Sequence, residues 1–108
     1  MKRVYICSPY RGDGSTNTET NEAFAVMLCK LAISRGYAPI APHLYLPKAL
    51  DDNKPEERQI GIDAGLAFLE VCDELWFCYK YGISEGMQKE LQAAIDAGKT
   101  VKCVALNL

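Results

Sequence analysis

With 108 residues, 49% of them hydrophobic and 24% charged, the chain has the size and make-up of one globular domain, which excludes disordered and fibrous classes. Twelve basic against fourteen acidic side chains give a formal net charge of -2 and no basic stripe, so polymeric nucleic acid is not an expected partner. Apolar runs last only a few residues, and the opening Met1 to Cys7 gives way to Ser8-Pro9 before a signal-peptide core forms. No membrane association is therefore expected, and the expected location is cytoplasmic. The five cysteines (Cys7, Cys29, Cys72, Cys78 and Cys103) are odd in number, scattered and without a Cys-x-x-Cys spacing. They read as reduced core residues, with no metal and no cofactor expected.

Val4 to Cys7 is a short β-prone run bounded by Ser8-Pro9, as suits a strand buried on both faces of a parallel sheet. Phe24, Met27, Leu28, Leu31 and Ala32 then recur at helical spacing, with Thr16 and Glu19 as a capping box and Gly36 as the stop. Tyr37 to Ala41 reads as a second strand, placed at an edge because Pro39 cannot donate to a ladder. A second helix starts near Pro55, favoured by Glu56 and Glu57 at its positive end, with Ile60, Ala64, Ala67, Phe68 and Val71 as its expected buried face. Glu74 to Tyr79 is the third strand, Met87, Leu91, Ala94 and Ile95 stripe a last helix closed by Gly98, and Thr100 to Ala105 forms the fourth strand. The alternation predicts one α/β domain over residues 1–108, three-layered and flavodoxin- or Rossmann-like, with a four-stranded parallel sheet in the order 2-1-3-4.

In such sheets ligands bind beyond the carboxyl ends of the strands where the order reverses, here between strands one and three. The loops leaving those strands, Ser8 to Gly14 and Lys80 to Gly86, are also the most polar and Gly-rich stretches. Gly82, Ser84 and Gly86 precede a helix whose free N–H groups favour an anion; the plainer alternative is that Ser84 only caps the helix. A Ser84 hydrolase elbow is disfavoured, since His43 is the only histidine to serve as base. Glu90 falls one turn into the helix at the border of its apolar stripe. There it reads either as a shielded carboxylate able to attack an anomeric carbon or as an ordinary border glutamate.

Tyr5-Ile6-Cys7-Ser8-Pro9-Tyr10-Arg11-Gly12, Cys72-Asp73-Glu74-Leu75-Trp76 and Ser84-x-Gly86-x-x-x-Glu90-Leu91-x-x-Ala94-x-x-x-Gly98-Lys99 together resemble the nucleoside 2-deoxyribosyltransferase superfamily. The Ser-x-Gly-x-x-x-Glu spacing and the Ser-x-x-Arg-Gly loop look most like 2'-deoxynucleoside 5'-phosphate N-hydrolases, and the full pattern is similar to small uncharacterised bacterial and phage relatives. The resemblance implies cleavage or transfer at the N-glycosidic bond of a nucleoside or its 5'-monophosphate, with Glu90 as nucleophile. It implies that Ser84 and Gly86 hold the 5' end and that Ser8, Tyr10, Arg11, Gly12 and His43 bind substrate. The alternative is a non-catalytic nucleotide-binding or sequestering module of the same fold. The family's second carboxylate, counted back from Asp73, falls on Gly65; Asp63 is the nearest candidate, but two residues rotate a helical side chain by about 200°. Relatives form dimers or larger assemblies, so a homo-oligomer is expected.

Overall fold

A computed structural model describes residues 1–10 and 17–104. Four strands, β1 (Lys2–Cys7), β2 (Tyr37–Ile40), β3 (Glu74–Cys78) and β4 (Thr100–Val104), form an all-parallel sheet in the order β2-β1-β3-β4. Lys2 pairs with Tyr37 across one side of β1 and Val4 with Glu74 across the other. The two central strands carry the unbroken apolar runs of the sequence, and all five β3 residues are buried. Pro39 sits in edge strand β2, opposite Val4, as its missing N–H requires.

Side chains alternate across the sheet. Val4, Ile6, Trp76 and Cys78 face the first helix, α1 (Thr18–Ser34), and pack on its Phe24, Leu28 and Ala32. Tyr5, Cys7, Leu75 and Phe77 face the opposite layer. That layer is built by α3 (Pro55–Glu70) and α4 (Glu85–Asp96), through Leu69, Met87 and Ala94. Between β2 and α3 lie two short pieces, a 3-10 turn at Pro42–Leu44 and the four-residue helix α2 (Leu46–Ala49). The sequence predicts neither piece, because turns this short, with prolines at 42 and 47, show no periodicity.

Two details correct the sequence reading. The cap of α1 is Asn17, whose Oδ1 accepts from the Thr20 amide at 2.8 Å, whereas the proposed Thr16 cap lies outside the described residues. The larger correction concerns α3. Ile60 and Val71 are 54% and 55% exposed and Ala67 is exposed, while Gly65 and Leu69 face inward. This helix is apolar on two opposite sides, and of the row that periodicity selects, Phe68 packs against the core while Ile60, Ala67 and Val71 face outward. Gly65 faces Tyr5 of β1, where a Cβ would lie 3.2 Å from the phenolic oxygen, and Gly61 faces Leu50. Of the cysteines, Cys7, Cys72 and Cys78 are buried, but Cys29 is half-buried and Cys103 exposed.

The amino end of the sheet holds a buried carboxylate. Glu74 Oε1 accepts from Trp76 Nε1 at 3.2 Å and faces Lys102 Nζ at 3.2 Å, and its Oε2 accepts from the Tyr37 hydroxyl at 3.0 Å. Burial alone would push this carboxyl up, but the hydrogen bonds from Trp76, Lys102 and Tyr37 hold it below the ordinary glutamate range. The stability it supplies is thus complete at neutral pH and is lost only as pH falls through its lowered value. Glu74→Ala would strand the Trp76 and Tyr37 donors, and unfolding in urea at pH 7 is expected to show a loss of about 2 kcal/mol.

Candidate active site

The order of the sheet reverses between β1 and β3, and beyond their carboxyl ends lies a cleft of about 300 Å³, at the small end of ligand-sized cavities. Its floor is Tyr5, with Tyr10 further out. One wall is the connection after β2, through Pro42, His43, Leu46 and Leu50. The second is the inner face of α3, through Arg58, Gly61, Ile62, Gly65 and Leu66, and the third is the first two turns of α4, through Ser84, Gly86, Lys89 and Glu90.

The start of α4 is set by its own sequence. Gly82, at φ 103, makes the turn that brings the chain back from β3, its amide bonding to Tyr79 O at 3.0 Å. Ser84 caps the helix, Oγ accepting from the Met87 amide at 3.1 Å. Met87 is anchored in the core, which turns Glu90, three residues on, toward the cleft. The capping reading of Ser84 thus holds, and Ser84 still lines the cleft, because one hydroxyl can accept from the helix and donate to a ligand.

Glu90 is the perturbed carboxyl of the cleft. Its Oε2 is buried without a hydrogen-bond partner among the described residues, and the Tyr5 hydroxyl is its hydrogen-bonding neighbour. Burial pushes the Glu90 carboxyl up to about 7 from an ordinary 4.5, with the Tyr5 hydrogen bond pulling the other way. Burial and the nearby Glu90 charge push the Tyr5 phenol well above its usual range, so it stays protonated. Tyr5 also owes its position to Gly65, because a Cβ there would lie 3.2 Å from the phenolic oxygen. Deeper in the core, the Cys7 thiol is pushed up by burial and by Glu90, and its Sγ points at Met87 O, 3.7 Å away.

Ser8, buried just past β1, places its Oγ 2.8 Å from His43 Nε2 and so ties the ends of β1 and β2 together. Burial pushes the His43 imidazole down to about 4, leaving it uncharged at neutral pH. Tyr10 is fixed through its carbonyl, which accepts from Asn21 Nδ2 at 3.2 Å.

The structure therefore gathers Glu90, Ser84, Gly86, His43 and Tyr10 around one cleft, with Ser8 one hydrogen bond behind. Arg11 and Gly12 lie outside the described residues. Asp63 is not brought in: it is exposed, its Oδ1 accepts from Gln59 Nε2 at 2.9 Å, and it sits off the α3 face that lines the cleft. The inward position two residues on, about 200° around the helix, belongs to Gly65. Tyr5, Arg58 and Lys89 were not singled out in the sequence. Tyr5 carried a signal nonetheless, as a phenol inside a buried strand must find a polar partner. Among the described residues, no three His, Cys, Asp or Glu side chains are placed to hold a metal ion, and no helix is long and apolar enough to cross a membrane.

Because Glu90 keeps its proton in the folded chain over a range where the unfolded chain has lost it, stability falls as pH rises from about 4.5 to about 7. Glu90→Gln removes that penalty. Thermal and urea unfolding are expected to show it more stable than the parent by up to about 3 kcal/mol above pH 8 and equal to it below pH 4.

A 2-deoxyribosyltransferase from the psychrotolerant bacterium Bacillus psychrosaccharolyticus is similar in structure, with a TM-score of 0.65 over 97% of this chain and 77% of that one. The identity is 17%, and the likeness shows the fold. No curated protein matches the chain. The family model for DUF7768, described as a domain of unknown function, matches residues 2–104. A match of that extent makes this chain a member of the DUF7768 family.

Proposed function

We propose that the cleft binds a nucleoside 5'-monophosphate, in the first instance a 2'-deoxynucleotide, and cleaves its N-glycosidic bond by attack of Glu90 on the anomeric carbon, with water or a second base as acceptor. The observation that carries this reading is the half-satisfied Glu90 carboxyl at the back of the cleft. A group buried at such cost, with one oxygen unpartnered, is disposed toward an electrophile rather than toward the fold. The fold shared with a 2-deoxyribosyltransferase supports it.

The other residues fall into roles around that centre. The free amides of the first turn of α4, with Ser84 and Gly86, receive the 5' phosphate, and Lys89, whose Nζ is 3.7 Å from Glu85, adds a positive charge at the rim. Tyr5 holds the Glu90 carboxylate in line by a hydrogen bond. His43, uncharged and steered by Ser8, offers a hydrogen bond to the sugar or base, and Tyr10 supplies a wall on that side. Arg11 and Gly12 are proposed to close the site from the first loop. That Asp63 stands outside the cleft favours a second reading, a nucleotide-binding module of the same fold without turnover.

The two readings separate on base release from a panel of deoxynucleosides and their 5'-monophosphates. For the enzyme, free base is expected from the monophosphates, and Glu90→Ala should lower kcat/KM by about 10³-fold or more. kcat/KM should rise with pH through about 7 as Glu90 ionises and then level off, because His43 is uncharged above about 4 and Tyr5 stays protonated. Ligand-induced thermal stabilisation with no base released would select the binding module.

We also propose that the protein acts in the cytoplasm as a homo-oligomer. The outer row of α3, with Ile60 and Val71 more than half exposed and Ala64 and Ala67 between them, is the support for assembly. Sedimentation is expected to show a species larger than 12.0 kDa, reduced to the monomer by Ile60→Glu with Val71→Glu.

A further inference from the structure

We infer that the cleft selects substrates whose base departs without being protonated first, such as uracils made electron-poor by a ring substituent or cationic bases that leave as neutral molecules, because the place beside the nucleophile is held by a phenol instead of a second carboxyl. The inference rests on the reading of Glu90 as nucleophile and names the substrate class of that same site.

Enzymes that break glycosidic bonds commonly use two carboxyl groups, one attacking the sugar and one protonating what leaves. Here the inner face of α3 opposite Glu90 presents Gly65, and a Cβ at Gly65 would lie 3.2 Å from the Tyr5 hydroxyl. A carboxyl-bearing side chain at this position would crowd a hydroxyl already engaged with Glu90, and Gly65 supplies none. That phenol gives a hydrogen bond but keeps its proton, since burial and Glu90 both oppose its ionisation. His43 is uncharged, so it has no imidazolium proton to transfer. Of the remaining described carboxyls of the cleft, Glu85, whose side chain is 75% exposed, faces Lys89, and Asp52 lines it from the loop before α3. Asp63 is engaged with Gln59 on the outside.

Under this arrangement the first step forms a bond between a Glu90 oxygen and C1' while the C1'–N bond breaks, and the bonding pair remains on the base nitrogen. The base leaves as its conjugate anion, or as a neutral molecule if it was cationic, and an anion takes its proton from water afterwards. In the second step a water oxygen bonds to C1', the C1'–O bond to Glu90 breaks, the carboxylate is regenerated and one proton passes to solvent. The negative charge given up by Glu90 in the first step must be accepted by the base, so the rate follows the acidity of the base nitrogen.

The test is single-turnover base release at saturating concentrations of 2'-deoxyuridine 5'-monophosphate, its 5-fluoro analogue and its 5-methyl analogue, which share one shape and differ in electron demand. The expected result is release from the 5-fluoro compound about tenfold or more faster than from the 5-methyl compound, the steep dependence expected where no acid assists departure. Equal rates for all three would overturn the inference while leaving Glu90 as nucleophile. So would an Asp13→Asn or Asp63→Asn variant that slows the 5-methyl compound and spares the 5-fluoro one, since it would identify an acid; Asp13 lies outside the described residues. Absence of release from all three, the 5-fluoro compound included, would overturn the inference, and absence of base from the whole panel of deoxynucleoside monophosphates would reject the glycosidase reading with it.

Discussion

The organisation of this molecule turns on one carboxyl group that the fold shelters and only half satisfies. An ionised glutamate enclosed with a single hydrogen-bonding neighbour is costly, and the shift of Glu90 toward neutrality measures that cost. Keeping it there requires three elements to hold position together. The central strand β1 supplies Tyr5 from beneath, α3 comes close enough over its glycines to leave room for the phenol, and the Ser84 cap with the buried Met87 fixes the rotation of α4.

The same residue type shows the opposite behaviour at the other end of the sheet. Glu74 is buried as well, yet both its oxygens are engaged by Trp76, Tyr37 and Lys102, and its carboxyl is held down rather than pushed up. Two glutamates in one small domain thus take opposite states according to how many donors face them. A satisfied carboxylate at the amino ends of the strands serves the fold. An unsatisfied one at the carboxyl ends sits where parallel sheets place their chemistry.

Much of this was legible in the sequence, and the parts that were not failed for identifiable reasons. The strand order, the edge position of Pro39 and the helix starting at Ser84 follow from unbroken apolar runs, a residue without an N–H and a capping hydroxyl. The inward face of α3 was not legible. Periodicity weighs size and apolarity, so it chose Ile60, Ala64, Ala67, Phe68 and Val71, of which Phe68 packs against the core, while the buried face is centred on Gly65, which carries no hydropathy signal, and Leu69. The wall from Pro42 to Leu50 escaped because turns of three or four residues have no period to detect. Glu90 could be singled out by spacing, but its partner could not, since Tyr5 and Gly65 are sixty positions apart and meet only when α3 folds back over β1.

Gly65 and Tyr5 also bear on how this site can change over generations. A Cβ at 65 would lie 3.2 Å from the phenolic oxygen, so a larger residue there needs the ring to give by a few tenths of an ångström, and a smaller residue at 5 would take from Glu90 its hydrogen-bonding neighbour. An aspartate at 65 therefore meets a tight contact as a single replacement, and that contact eases once the neighbouring ring has lost its hydroxyl. The two positions are coupled, and the order in which they are altered sets the crowding of the intermediate. A lineage carrying this pair meets that crowding on one route and not on the other, independently of any advantage on the far side.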